Sequence, residues 1–332
     1  MFDCNATACQ SFVVCVVSPR YYVHNGVDDD AEECTLRSVR KLSCCRCSDL
    51  TGTHVTSNLP IAAFSGNNDV SRGLLSMASH LVEQLPPVDY LGYTFYLFTL
   101  PGANSYTYKM VTAEWPNDVQ LRTPTTTLTD ETLMHAGDFH TNSISELLVI
   151  KASSPLLVAQ FGGVGLPLPG SGPRAMMLVP PAELFRPWYT LATGHSDFDN
   201  FTHYVILVAN RSAVDRLMLD GQPVGTADWV AFDAAAPDDM VGRVVPVQSG
   251  VHVIVQMDGT PFGAYVYGHS DSNCAYAFTA GLCLGPPNNL VRLWLCQYSI
   301  LSPKPLLLVG GLPIIIQIQI IVSCSFMHVL HR

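Results

Sequence analysis

The ten residues "GHSDFDNFTH" (194–203) hold a dense group of side chains able to bind a metal: His195, Asp197, Asp199 and His203. Imidazole nitrogens and carboxylate oxygens are the ligands of many zinc sites. The competing interpretation, which we favour, is a polar loop between two strands that also carries a glycosylation sequon. We therefore predict no metal site. A β-sandwich enzyme or a metal-binding protein with a site around His195–His203 is kept as the alternative.

Other catalytic patterns in the sequence are incomplete. "PGSGP" (169–173) imitates part of a nucleophile elbow, but it lies in a Pro/Gly linker without the strand-to-helix context. His80 and Glu83 could share a helix face, yet the larger zinc motif is absent. His252 alternates with valines on a predicted strand, which indicates a solvent-facing position or a hydrogen-bonded core position. With no phosphate-binding glycine loop either, we predict a protein that is not an enzyme and needs no cofactor.

Charge and composition restrict the class of partner. The 332 residues include 17 Lys and Arg against 27 Asp and Glu, for a net charge of −10, which argues against nucleic-acid binding. A hydrophobic content of 48% is enough for a substantial core. The 24 glycines and 23 prolines, without long Glu/Lys/Ala-rich stretches, are typical of many short strands joined by turns.

The eleven cysteines are unevenly placed: seven precede residue 50 and four follow residue 270. The stretch between Cys47 and Cys274 contains none, so the body of the chain must fold without disulfides there. The early cysteines are expected to form disulfides if the protein is secreted. A zinc site at "SCCRC" (43–47) is less favoured, because three cysteines leave a tetrahedral site incomplete. Three sequons are candidate glycosylation sites and weakly support extracellular exposure, at Asn5, Asn200 and Asn210.

Strand-length segments rich in aromatic and β-branched residues recur from residue 49 onward. An Asp-Gly pair in "LDGQPV" (219–224) predicts a tight hairpin. Only "SRGLLSMASHLVEQL" (71–85) has helix-like spacing, and it could instead be an ordered loop. The six clearest predicted strands are 94–100, 108–115, 146–152, 188–194, 203–210 and 243–247.

An evenly spaced pattern indicates a repeat. Pro60, Pro155 and Gly250 each precede an apolar run, and they are 95 residues apart (155 − 60 = 95; 250 − 155 = 95). We predict that each lies in a turn leading into a strand, with a turn at 153–155 joining two antiparallel strands. The fold class is therefore all-β, with tandem antiparallel β-sandwich or jelly-roll-like repeats of about 95 residues. Two superposable units, 86–165 and 175–268, follow an incomplete half-unit.

A cluster of aromatic residues offers one binding possibility. Tyr and Phe side chains gather between residues 90 and 106. Alternation along the strand would point Phe95 and Tyr96 in opposite directions, placing one set in the core and the other in solvent. Exposed aromatic residues are typical of protein or glycan contacts. Packing of these rings inside a sandwich is the favoured interpretation.

Five motifs in order resemble a known family. They are "DLTGT" (49–53), "TSNLPIAAFSGN" (56–67), "HLVEQLPP" (80–87), "ASSPLLVAQF" (152–161) and "HYVILVAN" (203–210). Together they resemble the N-terminal domain of the IgG-Fc-binding protein family, which includes a large secreted mucus glycoprotein. The resemblance covers about residues 49–285. Two departures are Asn68-Asp69 and Ala78-Ser79, which stand where the family pattern has cysteines, so that disulfide is expected to be absent.

The resemblance implies a secreted binding or adhesion module at a mucosal or cell surface. Its partner would be a protein or glycoprotein, immunoglobulin Fc or mucin-like, and no binding residues are implied. We expect a cysteine-rich segment over 1–48 with a truncated start, the family domain over 49–285, and a hydrophobic tail over 286–332. Within the tail, residues 305–330 have the length of a membrane span, with a β segment or an aberrant end as alternatives.

Overall fold

A computed structural model describes thirteen stretches of the chain: residues 11–16, 21–24, 40–43, 51–57, 62–67, 81–114, 116–125, 130–162, 175–194, 200–233, 235–236, 239–270 and 274–281. Within these ranges the chain forms 22 strands and three short 3₁₀ helices, and no α-helix. All of the sheets are antiparallel. The predicted all-β class is therefore confirmed, as are the six predicted strands.

The first six strands are called the N-terminal unit. They are β1 (Ser11–Val16), β2 (Tyr21–His24), β3 (Arg40–Ser43), β4 (His54–Ser57), β5 (Ala62–Asn67) and β6 (Leu81–Leu85). Four of them form a sheet in the order β3-β1-β5-β6, and β2 pairs with β4. The helix-like spacing of residues 71–85 does not correspond to a helix over residues 81–85. These residues form β6, which pairs with β5. Residues 71–80 lie outside the described part of the chain.

The middle unit comprises the next seven strands. They are β7 (Gly92–Leu97), β8 (Tyr106–Thr112), β9 (Asn117–Arg122), β10 (Glu131–Leu133), β11 (Phe139–Ile144), β12 (Leu148–Gly162) and β13 (Ala175–Leu178). Strand β12 is long enough to pair with different neighbours at its two ends. Its first half lies between β7 and β9, and its second half lies between β8 and β13.

The C-terminal unit comprises the last nine strands. They are β14 (Trp188–Ala192), β15 (Phe201–Asn210), β16 (Leu217–Leu219), β17 (Gln222–Pro223), β18 (Val230–Ala231), β19 (Met240–Val247), β20 (Val251–Gln256), β21 (Gly263–Ser270) and β22 (Ala275–Thr279). One sheet has the order β14-β20-β16-β17, and the other has the order β18-β19-β15-β21-β22. The predicted Asp-Gly hairpin is confirmed between β16 and β17, where Asp220 and Gly221 both have positive φ.

The middle and C-terminal units share one order of strand pairing. Strands β14 and β16 flank β20 as β7 and β9 flank the first half of β12. Strands β15 and β22 flank β21 as β8 and β13 flank the second half of β12. The first half of β12 thus corresponds to β20, and its second half corresponds to β21. The N-terminal unit shows part of the same order, because β3-β1-β5-β6 corresponds to β11-β8-β12-β13.

The segments that precede the first strand of the middle unit and of the C-terminal unit are also alike. Pro86-Pro87 leads into the 3₁₀ helix Val88–Tyr90 before β7, and Pro180-Pro181 leads into the 3₁₀ helix Ala182–Leu184 before β14. The residues at the start of the two helices, Pro87 and Pro181, have nearly the same φ and ψ. These turns fix which residue of β7 corresponds to which residue of β14. Superposition of the units, their bounds at 86–165 and 175–268, and the wider domain bounds stay predictions.

The predicted turn before Pro155 is wrong, because Pro155 lies inside β12. The pairing register shifts between Lys151 and Leu156, so the chain bulges without turning. The buried side chain of Asn117 explains why the strand can continue. Its Nδ2 donates to the Ser154 carbonyl oxygen at 2.9 Å, and its Oδ1 accepts from the Ser154 amide at 3.1 Å. These bonds replace the ladder partners that the bulge removes.

The other two repeat anchors have different outcomes. Gly250 lies in a turn immediately before β20, as predicted. Pro60 lies outside the described residues. Gly250 precedes β20, the counterpart of the first half of β12, whereas Pro155 lies between the two halves of β12. The even spacing of 95 residues therefore does not connect equivalent points of the two larger units.

Two hydrophobic cores share one sheet. Along β15, Val205 and Leu207 pack into the core between the two sheets of the C-terminal unit. Ile206 and Val208 point the other way, into a core continuous with that of the middle unit. Strands β15 and β21 are consequently buried on both faces, which explains their near-continuous apolar sequence.

Aromatic rings lock the middle unit onto the C-terminal unit. The Tyr265 hydroxyl donates to the Tyr96 carbonyl oxygen at 3.1 Å. The rings of Phe98 and Phe232 meet edge to face with centroids 5.0 Å apart. This contact buries Tyr96 and Phe98, while Phe95 fills the core on the other side of β7. Aromatic packing is therefore confirmed for Phe95, Tyr96 and Phe98, whereas Tyr93 of the same cluster is exposed.

Candidate binding surface

Of the four residues considered as an alternative metal group, only His203 lies in the described part of the chain. His203 is buried on β15, and its Nδ1 lies 2.7 Å from the Tyr276 hydroxyl. The ring of Phe201 stacks on the imidazole with centroids 6.1 Å apart. His195, Asp197 and Asp199 lie outside the described residues. Among the residues that are described, no group of three or more His, Cys, Asp or Glu side chains could hold a metal ion.

His252 is engaged on both ring nitrogens. Its Nδ1 lies 2.7 Å from Asp220 Oδ2, and its Nε2 lies 2.8 Å from the Gln248 carbonyl oxygen. Both partners are oxygen atoms within hydrogen-bond distance, so each ring nitrogen is engaged in a contact. With no free nitrogen, this Asp–His pair cannot serve as a general base. The interpretation of His252 as a hydrogen-bonded core residue is confirmed, and the pair ties the β16–β17 hairpin to β20.

The same pair sets the charge state of Asp220. Burial raises the pKa of this carboxyl, but hydrogen bonds from His252 and from the Val253 amide outweigh it, and the net pKa lies below its usual value. The Val253 amide donates to Asp220 Oδ1 at 2.8 Å. A carboxylate that accepts these bonds holds the turn in its left-handed conformation at φ 50.

The glycosylation candidates differ in their surroundings. Asn200 is exposed just before β15. Asn210 ends β15, and its side-chain oxygen accepts from the Ser212 amide at 3.0 Å, which caps the 3₁₀ helix Arg211–Arg216. Asn5 lies outside the described residues. Asn200 therefore presents the more accessible amide of the two described sequons, and modification at all three stays a prediction.

The remaining motifs do not form a catalytic site in the described residues. Residues 163–174, which contain "PGSGP" and most of "GGVG", lie outside that part of the chain, as does His80. Glu83 lies half-buried on β6. A cavity of about 20 Å³ lies beside the two Pro-Pro turns, lined by residues that include Pro86, Phe95 and Pro181. It has room for about one water molecule, so it is not a ligand pocket.

One face of the β14-β20-β16 sheet is apolar and open to solvent. Residues opposite each other in an antiparallel pair lie on the same face. The pairing places Trp188 beside Val255 and Val255 beside Met218. The next row pairs Thr190 with Val253. We call the surface formed by Trp188, Thr190, Met218, Val251, Val253 and Val255 the open face.

Exposure and charge make the open face unusual. Val251 is 70% exposed and Val253 is 42% exposed, although both lie on a central strand. No outward-facing position of β14, β16 or β20 carries a charge. The alternate residues, such as Tyr189 and Ile254, fill the core behind the face. The other four residues of the face are half-buried. Exposed apolar patches are a common feature of interaction sites, so we take this face as the candidate binding surface.

The corresponding surface of the middle unit is not open and apolar in this way. Its exposed row carries Thr94, Lys151 and Gln120, which pair with one another across β7, β12 and β9. The next row is Tyr96, Val149 and Arg122, and its two apolar members are buried beneath the C-terminal unit. The β7 and β12 positions of this sheet are thus polar where they meet water and apolar where another unit covers them. By that comparison, the open face has the composition of a covered surface.

Comparison with known protein families identifies the family of the chain. Residues 19–268 match the family described as IgGFc binding protein, and this span is more than half of the chain. The chain belongs to this family. The resemblance drawn from the motifs is therefore confirmed, and the match begins at residue 19 where the motifs suggested about residue 49. No curated protein and no solved structure matches the chain.

Membership of the IgGFc-binding family agrees with the prediction of a binding protein, since the family is described by binding. The open face lies on β14, β16 and β20, all within the matched residues. Sequence reasoning missed it, although the alternation of Val251, Val253 and Val255 was a usable signal. The described residues contain no helix long and apolar enough to cross a membrane. The proposed span at 305–330 lies outside them.

Proposed function

We propose that this member of the IgGFc-binding family is an extracellular binding and adhesion module that engages a protein or glycoprotein through the open face. The observation that carries the proposal is the exposure of Val251 and Val253 on an uncharged sheet face. Burying that face against a partner removes apolar surface from water, which is the main favourable term in protein association.

The composition of the open face suits a macromolecular partner. Trp188 and Met218 are residue types enriched in protein interfaces. Strand β20 pairs on both sides, with β14 and with β16, so the face is held rigid and little ordering entropy is lost on binding. The surface is a sheet face and its residues do not line the small cavity beside the Pro-Pro turns, which favours a protein or glycoprotein over a small molecule.

An extracellular location, at a mucosal or cell surface, is supported by two features. Cys274, just before β22, is disulfide-bonded, and such bonds persist in oxidising compartments. Asn200 offers an exposed sequon. Immunoglobulin Fc and mucin-like glycoproteins are the partners that the family resemblance suggests, and both are found outside cells.

Surface plasmon resonance with immobilised protein tests the proposal. The two analytes are purified immunoglobulin Fc and a purified secreted mucin. We expect at least one to bind with a Kd of about 1 μM or tighter, and Val253→Lys to weaken binding roughly tenfold by placing a charge in the face. Val230→Lys is the matched control, because Val230 is 48% exposed and lies on the other sheet. Failure of both analytes to bind, or equal loss in both variants, would overturn the proposal.

A further inference from the structure

The outer edge of β14 borders the open face and offers a second means of recognition. We infer that an extended segment of the partner protein pairs with this edge as an added strand and lays apolar side chains beside Trp188 and Thr190. The inference rests on the proposed function in taking the open face as the binding surface. It deepens that function by naming the partner class, which is an extended polypeptide bound through its backbone.

Hydrogen bonds at the start of β14 show which of its backbone groups point outward. The Gln256 amide, at the end of β20, donates to the Pro187 carbonyl oxygen at 2.7 Å, so Pro187 faces β20. Arg186 faces the opposite side, where its amide donates to the Phe262 carbonyl oxygen at 3.3 Å and its carbonyl oxygen accepts from the Phe262 amide at 3.0 Å. Backbone groups alternate in direction along a strand. Three further residues therefore point outward like Arg186: Trp188, Thr190 and Ala192.

These outward groups leave the edge of β14 ready to accept a strand. In the part of the chain that the structure describes, β14 pairs only with β20, and the outward amides and carbonyls of Trp188, Thr190 and Ala192 have no partner. The opposite edge of the same sheet is closed, because β17 is two residues long and includes Pro223, which has no amide to donate. Strand β14 has five residues with neither proline nor charge, so it lacks the devices that usually prevent strand addition.

The equivalent strand of the middle unit, β7, has its backbone carbonyls occupied. The two Pro-Pro turns are 94 residues apart (180 − 86 = 94), which equates Tyr96 with Thr190. The Tyr96 carbonyl oxygen accepts from the Tyr265 hydroxyl at 3.1 Å, and that of Phe98 accepts from the Gln160 side-chain amide. The corresponding carbonyls of β14 meet no side-chain donor in the described residues. The fold thus satisfies this edge internally in one unit and leaves it to a partner in the other.

An extended polypeptide supplies what the edge of β14 lacks. Its amides and carbonyls repeat at the strand spacing, so each outward residue of β14 can exchange a donor and an acceptor with it. A helix cannot do this, because its backbone groups are bonded internally. Residues opposite Trp188 and Thr190 would point to the open face, so apolar residues at alternate positions would extend its apolar surface. An uncharged segment fits best, because no outward-facing position of β14, β16 or β20 carries a charge to pair with.

Fluorescence anisotropy with a labelled peptide is the first test. The probe has about eight residues, with Thr and Val alternating between terminal lysines, and we expect it to bind the full chain with a Kd of about 100 μM or tighter. Thr190→Pro removes an outward amide without breaking a bond to β20, and it should weaken binding about tenfold or more. Thr190→Val keeps the amide and should bind within about twofold of wild type. A wild type that does not bind the peptide, or a folded Thr190→Pro variant that binds it equally, would refute the inference.

Methylation of the peptide backbone tests the pairing without changing the protein. Two versions carry methyl groups on the nitrogens of Val only or of Thr only. Only one of these sets faces β14 when the Val side chains lie on the open face, so only one version should lose binding. Equal binding of both versions would overturn strand pairing.

Two further outcomes separate this inference from the proposed function. Binding of Fc or mucin that Thr190→Pro leaves unchanged would sink the inference while the proposed function stands, and peptide binding without Fc or mucin binding would do the reverse. Sedimentation velocity of the wild type identifies the remaining occupant. A dimer that Thr190→Pro dissociates would show that a second copy fills the edge, which would overturn the assignment to a partner segment.

Discussion

Some ionisable side chains of this fold lie in partly buried positions, and Glu83 is the clearest case. It lies half-buried on β6, beside β13. Burial raises the pKa of Glu83 to about 8, and a hydrogen bond from the Leu178 amide only partly opposes this shift. The carboxyl is therefore largely protonated at neutral pH in the folded protein, whereas the unfolded chain would ionise it near its ordinary value of 4.5.

The sign of this shift predicts how stability depends on pH. A raised folded pKa contributes stability below about pH 4.5, and that stability is lost as pH rises toward about 8. Across this window the slope for one group approaches about 1.4 kcal/mol per pH unit. Glu83→Gln should flatten the dependence and raise the melting temperature most at pH 9, measured by circular dichroism. Glu114→Gln, at an exposed position, is the control, and a Glu83→Gln profile parallel to wild type would contradict the assignment.

Asp220 should make the stability of the protein depend on pH in the opposite direction to Glu83. The net pKa of Asp220 is lowered, so its contribution is present above its ordinary pKa and is lost as pH falls through the folded value. Asp220→Asn tolerates the left-handed backbone but removes the charge that faces His252. We expect a loss of about 1 kcal/mol at pH 7 in urea unfolding, since the side chain is partly solvated. Asp228→Asn, also at positive φ but in a looser surface pair, should change little; equal losses would argue against the His252 contact.

At the scale of elements, the sequence correctly predicted the strands whose conformation follows from their own residue pattern. Alternation and β-branched content predicted the strands around Tyr108 and Val205, and the Asp-Gly pair predicted the hairpin. The continuous strand through Pro155 could not be predicted, because a distant side chain, Asn117, supplies the hydrogen bonds at the bulge. Helix-like spacing also misled at Leu81–Leu85, where pairing with β5 decides the conformation.

Strand β1 is expected to be essential to the first sheet. It pairs with β5 over six residues on one side and with β3 on the other, although it precedes the family motifs. Removing residues 1–48 would delete β1 and β3 and leave one edge of β5 unpaired, and exposed strand edges promote aggregation. We expect this truncation to be largely insoluble on expression. Removing only residues 1–10 keeps all the described strands and should leave the soluble fraction unchanged; a soluble, folded 49–332 protein would show that β1 is dispensable.

At the scale of the whole molecule, the sequence could not reveal which apolar faces are covered. Tyr96 and Val253 both lie on outward sides of their sheets, and alternation treats them alike. Tyr96 is buried because the C-terminal unit lies against it, whereas Val253 is left open. Exposure here depends on contacts between residues more than 100 positions apart, such as Tyr265 with Tyr96. The candidate binding surface therefore emerged only with the packing of the units.

The shared core predicts that the middle and C-terminal units unfold together, and Gly242 tests it. The Phe98 ring packs directly against Gly242 on β19. A Cβ added at Gly242 would lie 1.8 Å from this ring. That ring cannot retreat freely, because Phe232 packs edge to face against it. We expect Gly242→Ala to cost roughly 1–3 kcal/mol and to split or broaden the single urea transition of the wild type. Gly281→Ala, whose new Cβ would meet only Tyr189 at 3.6 Å, is the control. Wild-type stability in Gly242→Ala would mean that the two units are not joined through Phe98.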